Sequence, residues 1–212
     1  MIKSRSFNGP LLFLVSIVWL SCAYFNTYYN AEKYFNDADK LRLEKEGKSI
    51  PLSALDKYGK TIQKCQKVLK EFPESELRIN AILLMSKARY YRREYDDALM
   101  DLRIVNEKGD ADQVDEAQYW VALCKWKKGT IQPAIDELTL LIKNTDIQDL
   151  QAMCHLSLAE IAEELKDEES ILYHLEIGAD LMRDRAQRGV IYGKLAEFAF
   201  QNENYEVAIT TY

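Results

Sequence analysis

From Asn30 onward the apolar residues of this chain recur three and four positions apart, the spacing that lines one face of an α-helix, with polar residues between them. No segment requires a strand. The pattern predicts helices over 27–46, 53–71, 75–92, 95–106, 113–128, 130–143, 147–165, 167–181 and 183–200, with a last one opening at Tyr205. Gly47 and Pro73 stop the first two, and Ser75 follows as a candidate cap for the third.

Helices of this length bury one face and need neighbours, so the next question is whether they repeat. Thr61, Ala98, Ala134, Ser170 and Ala208 lie 37, 36, 36 and 38 residues apart, and each is small. A small residue is needed where the second helix of a hairpin crosses the first closely. Tyr58, Tyr95, Ile131 and Tyr205 stand three residues before it, Cys65, Leu102, Leu138 and His174 four after, and Val68, Val105, Leu141 and Ile177 seven after, forming one core-facing stripe. On the first helices Ser86, Ala122 and Ala196 take the matching tight spot, with Tyr90, Trp126 and Phe200 as bulk one turn later. At 157–170 the small residues Ala159 and Ala162 sit one position off this spacing.

This pattern resembles the tetratricopeptide repeat family over 53–212, with a degenerate first helix before it and an incomplete last repeat. The resemblance implies an all-α, right-handed superhelix of helical hairpins whose first helices line a concave face that takes a peptide or a partner's helix. Polar first-helix residues off the packing stripe, Lys87, Arg89, Arg93, Gln118 and Lys125, are then the candidate partner-binding face.

Residues 1–21 have the layout of an export signal: Lys3 and Arg5, an apolar run over 11–20, then small residues around Ser21 and Ala23. The run is shorter than the ~20 apolar residues of a membrane span. An uncleaved signal anchor starting near Phe7 is the alternative. Leu20-Ser21-Cys22-Ala23 resembles the lipobox of bacterial lipoproteins, which makes Cys22 the acylated mature N-terminus and Ala23 a signal for the outer membrane. Residues 22–52 then form the tether and first helix, and loss of Lys3 and Arg5 takes the net charge from −6 to −8. Lipid anchor, aromatic lead-in (Tyr24, Phe25, Tyr28, Tyr29) and repeat together resemble the outer-membrane assembly lipoproteins of the BamD family, a layout shared by repeat lipoproteins of secretion, motility and cell-wall systems.

Composition narrows the function further. With 28 basic and 34 acidic residues interspersed, no basic block exists to neutralise phosphates, which argues against nucleic acid. Cys65, Cys124 and Cys154 lack metal-ligand spacing, and a bridge between Cys124 and Cys154 is the one pairing worth considering in an oxidising compartment. His155 and His174 lack the i, i+4 spacing of a helical zinc site. Acidic runs such as Asp167-Glu168-Glu169 fall near helix ends, where the dipole favours them. The expectation is a membrane-tethered binding scaffold facing the periplasm, with no catalytic residues, no metal or cofactor and no small-molecule substrate; a functional domain further along the chain is the alternative.

Overall fold

The computed structural model describes residues 9–45 and 49–211, with side chains from Phe25 onward. The described residues form ten helices and no strand: α1 (Gly9–Leu43), α2 (Leu52–Glu71), α3 (Arg78–Tyr91), α4 (Tyr95–Lys108), α5 (Ala111–Lys127), α6 (Ile131–Asn144), α7 (Gln148–Leu165), α8 (Glu168–Leu181), α9 (Arg185–Gln201) and α10 (Tyr205–Thr211). Helices adjacent in sequence pack on one another, α1 on α2, α2 on α3, and α5 through α10 in series, so the fold is all-α and repetitive. Most boundaries fall within a few residues of the apolar pattern. One does not: α1 runs unbroken from Gly9, well before residue 27. α3 opens at Arg78, three residues after its predicted start, with the Ser75 hydroxyl accepting from the amide of Leu77 inside the turn after Pro73. Gly47 and residues 1–8 of the export signal predicted over 1–21 lie outside the described residues.

The chain divides into two compact units, Met1–Ile104 and Val105–Tyr212. In the first, α1 turns Ala31, Phe35 and Ala38 inward at helical spacing against Tyr58, Cys65 and Val68 of α2 and Ala81, Met85 and Ala88 of α3. Thr61 lies at the α1–α2 crossing, fully buried, its hydroxyl 3.3 Å from the Ala31 carbonyl oxygen and 3.1 Å from that of Lys57. Both contacts satisfy a polar group that burial would otherwise penalise. Phe35 meets Tyr58 edge-on at 5.4 Å and Tyr58 stacks on Tyr91 at 5.0 Å. The Tyr58 hydroxyl donates to Asp39 at 2.9 Å, and Arg42 both pairs with Asp39 and lies 4.5 Å over the Tyr91 ring. Gly59 leaves room for Arg92, which donates to the Leu55 carbonyl at 2.7 Å; a Cβ there would stand 3.2 Å from the Arg92 guanidinium.

In the second unit, Asp110 and Gln113 form a reciprocal cap that opens α5, while Asp167 and Asp184 cap α8 and α9. Ala134, Leu138 and Leu141 are buried on α6 as the stripe predicts. Ala208 is buried, whereas Phe200 is 63% exposed with its ring against Tyr205.

One turn recurs through both units. Arg93, Gly129, Lys166 and Glu203 have φ of 64°, 89°, 59° and 61°. The residue after each donates back five positions, Glu94 to Arg89, Thr130 to Lys125, Asp167 to Ala162 and Asn204 to Ala199, at 2.8–3.0 Å. This left-handed C-terminal motif reverses the chain inside each hairpin, 36, 37 and 37 residues apart. It corrects one part of the predicted register. The position matching Ala98, Ala134 and Ala208 is Ile171, buried, and not Ser170. The stripe after it is Leu175 and Gly178, one position beyond His174 and Ile177, and Ala159 falls into phase with Ser86 and Ala122. The close approach that Ile171 prevents is relocated to Gly178, where a Cβ would lie 2.9 Å from Leu156.

Candidate partner-binding face

The five first-helix candidates differ in what their side chains do. Lys87 on α3 is half-buried, its ammonium 5.4 Å from the Phe35 ring centroid. Arg89, also on α3, is held by Asp101 of α4 at 2.6 Å and reaches the Asp97 carbonyl at 3.2 Å. Lys125 on α5 pairs with Glu137 of α6. Arg93 is exposed at the left-handed position of the α3–α4 turn, and Gln118 is exposed on α5.

The Arg89–Asp101 and Lys125–Glu137 pairs are one structural feature in two successive hairpins. Each joins the third residue past the tight spot of a first helix to the third residue past the small residue of the second, twelve positions apart. The first is the more buried, with side chains 16% and 10% exposed against 36% and 36%. Burial pushes the Asp101 carboxyl up to about 6 even though Arg89 beside it pulls the other way. Arg89 Nε and Glu137 Oε2 are buried with no hydrogen-bond partner among the described residues, so neither pair saturates its groups. Two cations that look like surface charges in the sequence therefore brace their own hairpins.

Polar contacts also tie α5 to α7. The Tyr119 and Ser157 hydroxyls lie 3.0 Å apart in the interior, and Trp126 Nε1 donates to Glu164 at 2.9 Å. Lys127 covers the Trp126 ring at 3.1 Å from its centroid and lies 3.5 Å from Glu164. A first helix pinned to the next at its middle and at its C-terminal end presents its exposed residues, Gln118 among them, at fixed spacing.

Groups with possible chemistry are placed as follows. Cys65, Cys124 and Cys154 are buried and in no disulfide, Cys65 and Cys154 both pushed up to about 12 by burial first, which suppresses the reactive thiolate. His155 on α7 and His174 on α8 meet, Nδ1 to Nδ1, at 2.9 Å. Burial, then the neighbouring His174, holds His155 down to about 4, and burial lowers His174 as well. The pair is thus neutral near pH 7, one ring donating to the other. No group of three or more His, Cys, Asp or Glu among the described residues is arranged to hold a metal ion. Cys22 lies on the α1 backbone, but its side chain is outside the described residues, as are those of the apolar run 11–20. Among the described residues no helix is long and apolar enough to cross a membrane.

Compared with known proteins, the chain matches no family model and no curated sequence.

Proposed function

We propose that this chain is a membrane-tethered protein–protein interaction scaffold of the bacterial cell envelope, not an enzyme. The observation that carries the reading is the recurrence of one hairpin: the same left-handed turn at Arg93, Gly129, Lys166 and Glu203, and the same bracing pair at Arg89–Asp101 and Lys125–Glu137. Repeating units of this kind build extended binding surfaces. The tetratricopeptide resemblance supplies the finer proposal of a right-handed solenoid whose first helices bind a peptide or a partner's helix. Acylation of Cys22 anchors it on the periplasmic side of the outer membrane, and the BamD-like layout proposes outer-membrane protein assembly as its pathway.

Of the five candidates, Lys87, Arg93 and Gln118 contact the partner, while Arg89 and Lys125 each hold their own hairpin. The test is co-purification from detergent-solubilised envelopes at several salt concentrations, comparing the parent with Arg93→Glu/Gln118→Glu. Charges at the rim of an interface act mainly on association rate and salt sensitivity, so recovery of the partner should fall most at low salt. Equal recovery with both proteins at every salt concentration rejects this binding face. Cys22→Ser should separately abolish uptake of labelled fatty acid, and unchanged uptake rejects the anchor.

A further inference from the structure

The aromatic residues that lead into the first hairpin sit on a helix face that the hairpin does not use. α1 packs through Ala31, Phe35 and Ala38, at 0%, 7% and 0% exposure. Its outer face carries Phe25, Tyr29, Lys33, Asn36 and Lys40, all exposed, at successive spacings of four, four, three and four residues. Phe25 and Tyr29 are 60% and 64% exposed, which is costly for two large rings facing water. The helical period carries the same stripe back to position 22, the acylation candidate, and α1 is unbroken from there. At 1.5 Å per residue Phe25 and Tyr29 follow position 22 by about 4 and 10 Å, and Lys33 by about 16 Å.

We propose that this stripe is a membrane-interface seat: Phe25 and Tyr29 enter the interfacial zone beside the anchor, and Lys33 and Lys40 face anionic lipid head groups. The inference rests on the tethered-scaffold reading and adds to it a fixed orientation of α1 on the bilayer. Two facts select a bilayer as the occupant. The Phe25 ring is apolar throughout and the Tyr29 ring has one polar edge suited to the boundary between acyl chains and water, and the stripe passes from apolar ring to amphipathic ring to lysines in the order in which a helix rising obliquely from a lipid anchor meets acyl boundary and then phosphates. α1 also runs unbroken from position 22 to the stripe, so an acyl group at that position holds Phe25 within about one helical turn of the lipid.

The experiment uses the full chain purified with its acyl group and reconstituted into phosphatidylethanolamine vesicles containing phosphatidylglycerol. A fluorophore is attached at Asn26→Cys, beside the rings, or at Lys128→Cys, exposed in the second unit, as a reference, the native thiols at 65, 124 and 154 being buried. Flotation reports the anchor, and quenching by an aqueous quencher reports the seat. The label at 26 should be several-fold less quenched than that at 128, and Phe25→Ser/Tyr29→Ser should restore its quenching while the chain still floats and melts as the parent does. Lys33→Glu/Lys40→Glu should also raise quenching at 26, and more so as phosphatidylglycerol increases. A chain that floats with position 26 fully quenched overturns the seat and leaves the anchor standing. A chain that does not float overturns the tether and the seat with it. Protection at 26 in native envelopes but not in vesicles assigns the stripe to a protein and also overturns the proposal.

Discussion

Removing Arg89 should destabilise the protein in a pH-dependent way, because its partner is a carboxylate that burial already disfavours. In the folded chain Asp101 titrates near 6 against an ordinary value of 3.8. The sign follows from linkage: a raised folded pKa gives a contribution present in full below the unfolded value and lost as pH rises through about 6. Near pH 7.5 Asp101 is ionised and Arg89, 16% exposed, is the group that compensates it. In Arg89→Leu the carboxyl must instead remain protonated above its former pKa, at about 1.4 kcal/mol per pH unit, or about 2 kcal/mol at about pH 7.5. Below about pH 5 it is protonated in parent and variant alike, and that difference vanishes. Breaking a buried pair costs about 3–5 kcal/mol in all, so the variant should lose that much near neutrality and about 2 kcal/mol less in mild acid. Arg89→Leu/Asp101→Leu should abolish the pH dependence of the difference and recover most of the stability. Urea unfolding at the two pH values, with parent, single and double variants side by side, reads all three quantities. A single variant with the same loss at both pH values refutes the reasoning, since Asp101 would then not be the group Arg89 serves.

Three further outcomes are expected. Ala134→Leu, at a fully buried helix crossing, should lower stability by about 1–3 kcal/mol in denaturant unfolding, and a parent-like curve would displace Ala134 from the crossing. Lys166→Gly should raise stability by about 0.5–1 kcal/mol in thermal melts, because Lys166 holds φ at 59° where Gly129 occupies the equivalent turn; no gain would mean the lysine makes a compensating contact. His155 is held down to about 4 in the fold, so its contribution is present above about 6.5 and lost as pH falls through about 4. His155→Gln should therefore remove up to about 3 kcal/mol of acid sensitivity, and parallel stability profiles for parent and variant between those pH values would exclude the mechanism.

The helices and most of the repeat are legible in the sequence because crossing positions admit few side chains. Ala98, Ala134 and Ala208 must be small, and their spacing alone aligns three hairpins. The fourth misleads because Ser170 is small and sits near the expected place, while the feature that sets its register is a left-handed turn occupied by Lys166 instead of glycine. Nothing in a lysine marks that conformation; the tight spot there has moved to Gly178, and Ala159, one position off, is the clue that survives. Arg89 and Lys125 look like open surface charges when each helix is taken alone. Their acids lie twelve residues on, at Asp101 and Glu137, a separation that brings groups together only once the helices fold back on one another. The His155–His174 contact has the same origin: neither residue has a partner at helical spacing, and the α7–α8 hairpin supplies one. α1 outruns its predicted start because the apolar run before it lacks the three-and-four pattern by which an amphipathic helix is recognised.

Site-specific photo-crosslinking in intact cells tests the scaffold most directly, with the photoreactive residue at Gln118, at Arg93 or at Lys143, which is exposed on the second helix α6. The account predicts that Gln118 and Arg93 capture the same envelope protein in the membrane fraction, that Lys143 does not, and that Cys22→Ser moves the chain out of that fraction. Capture at Lys143 alone, or no adduct at Gln118 and Arg93 in a chain that is membrane-bound and folded, contradicts it.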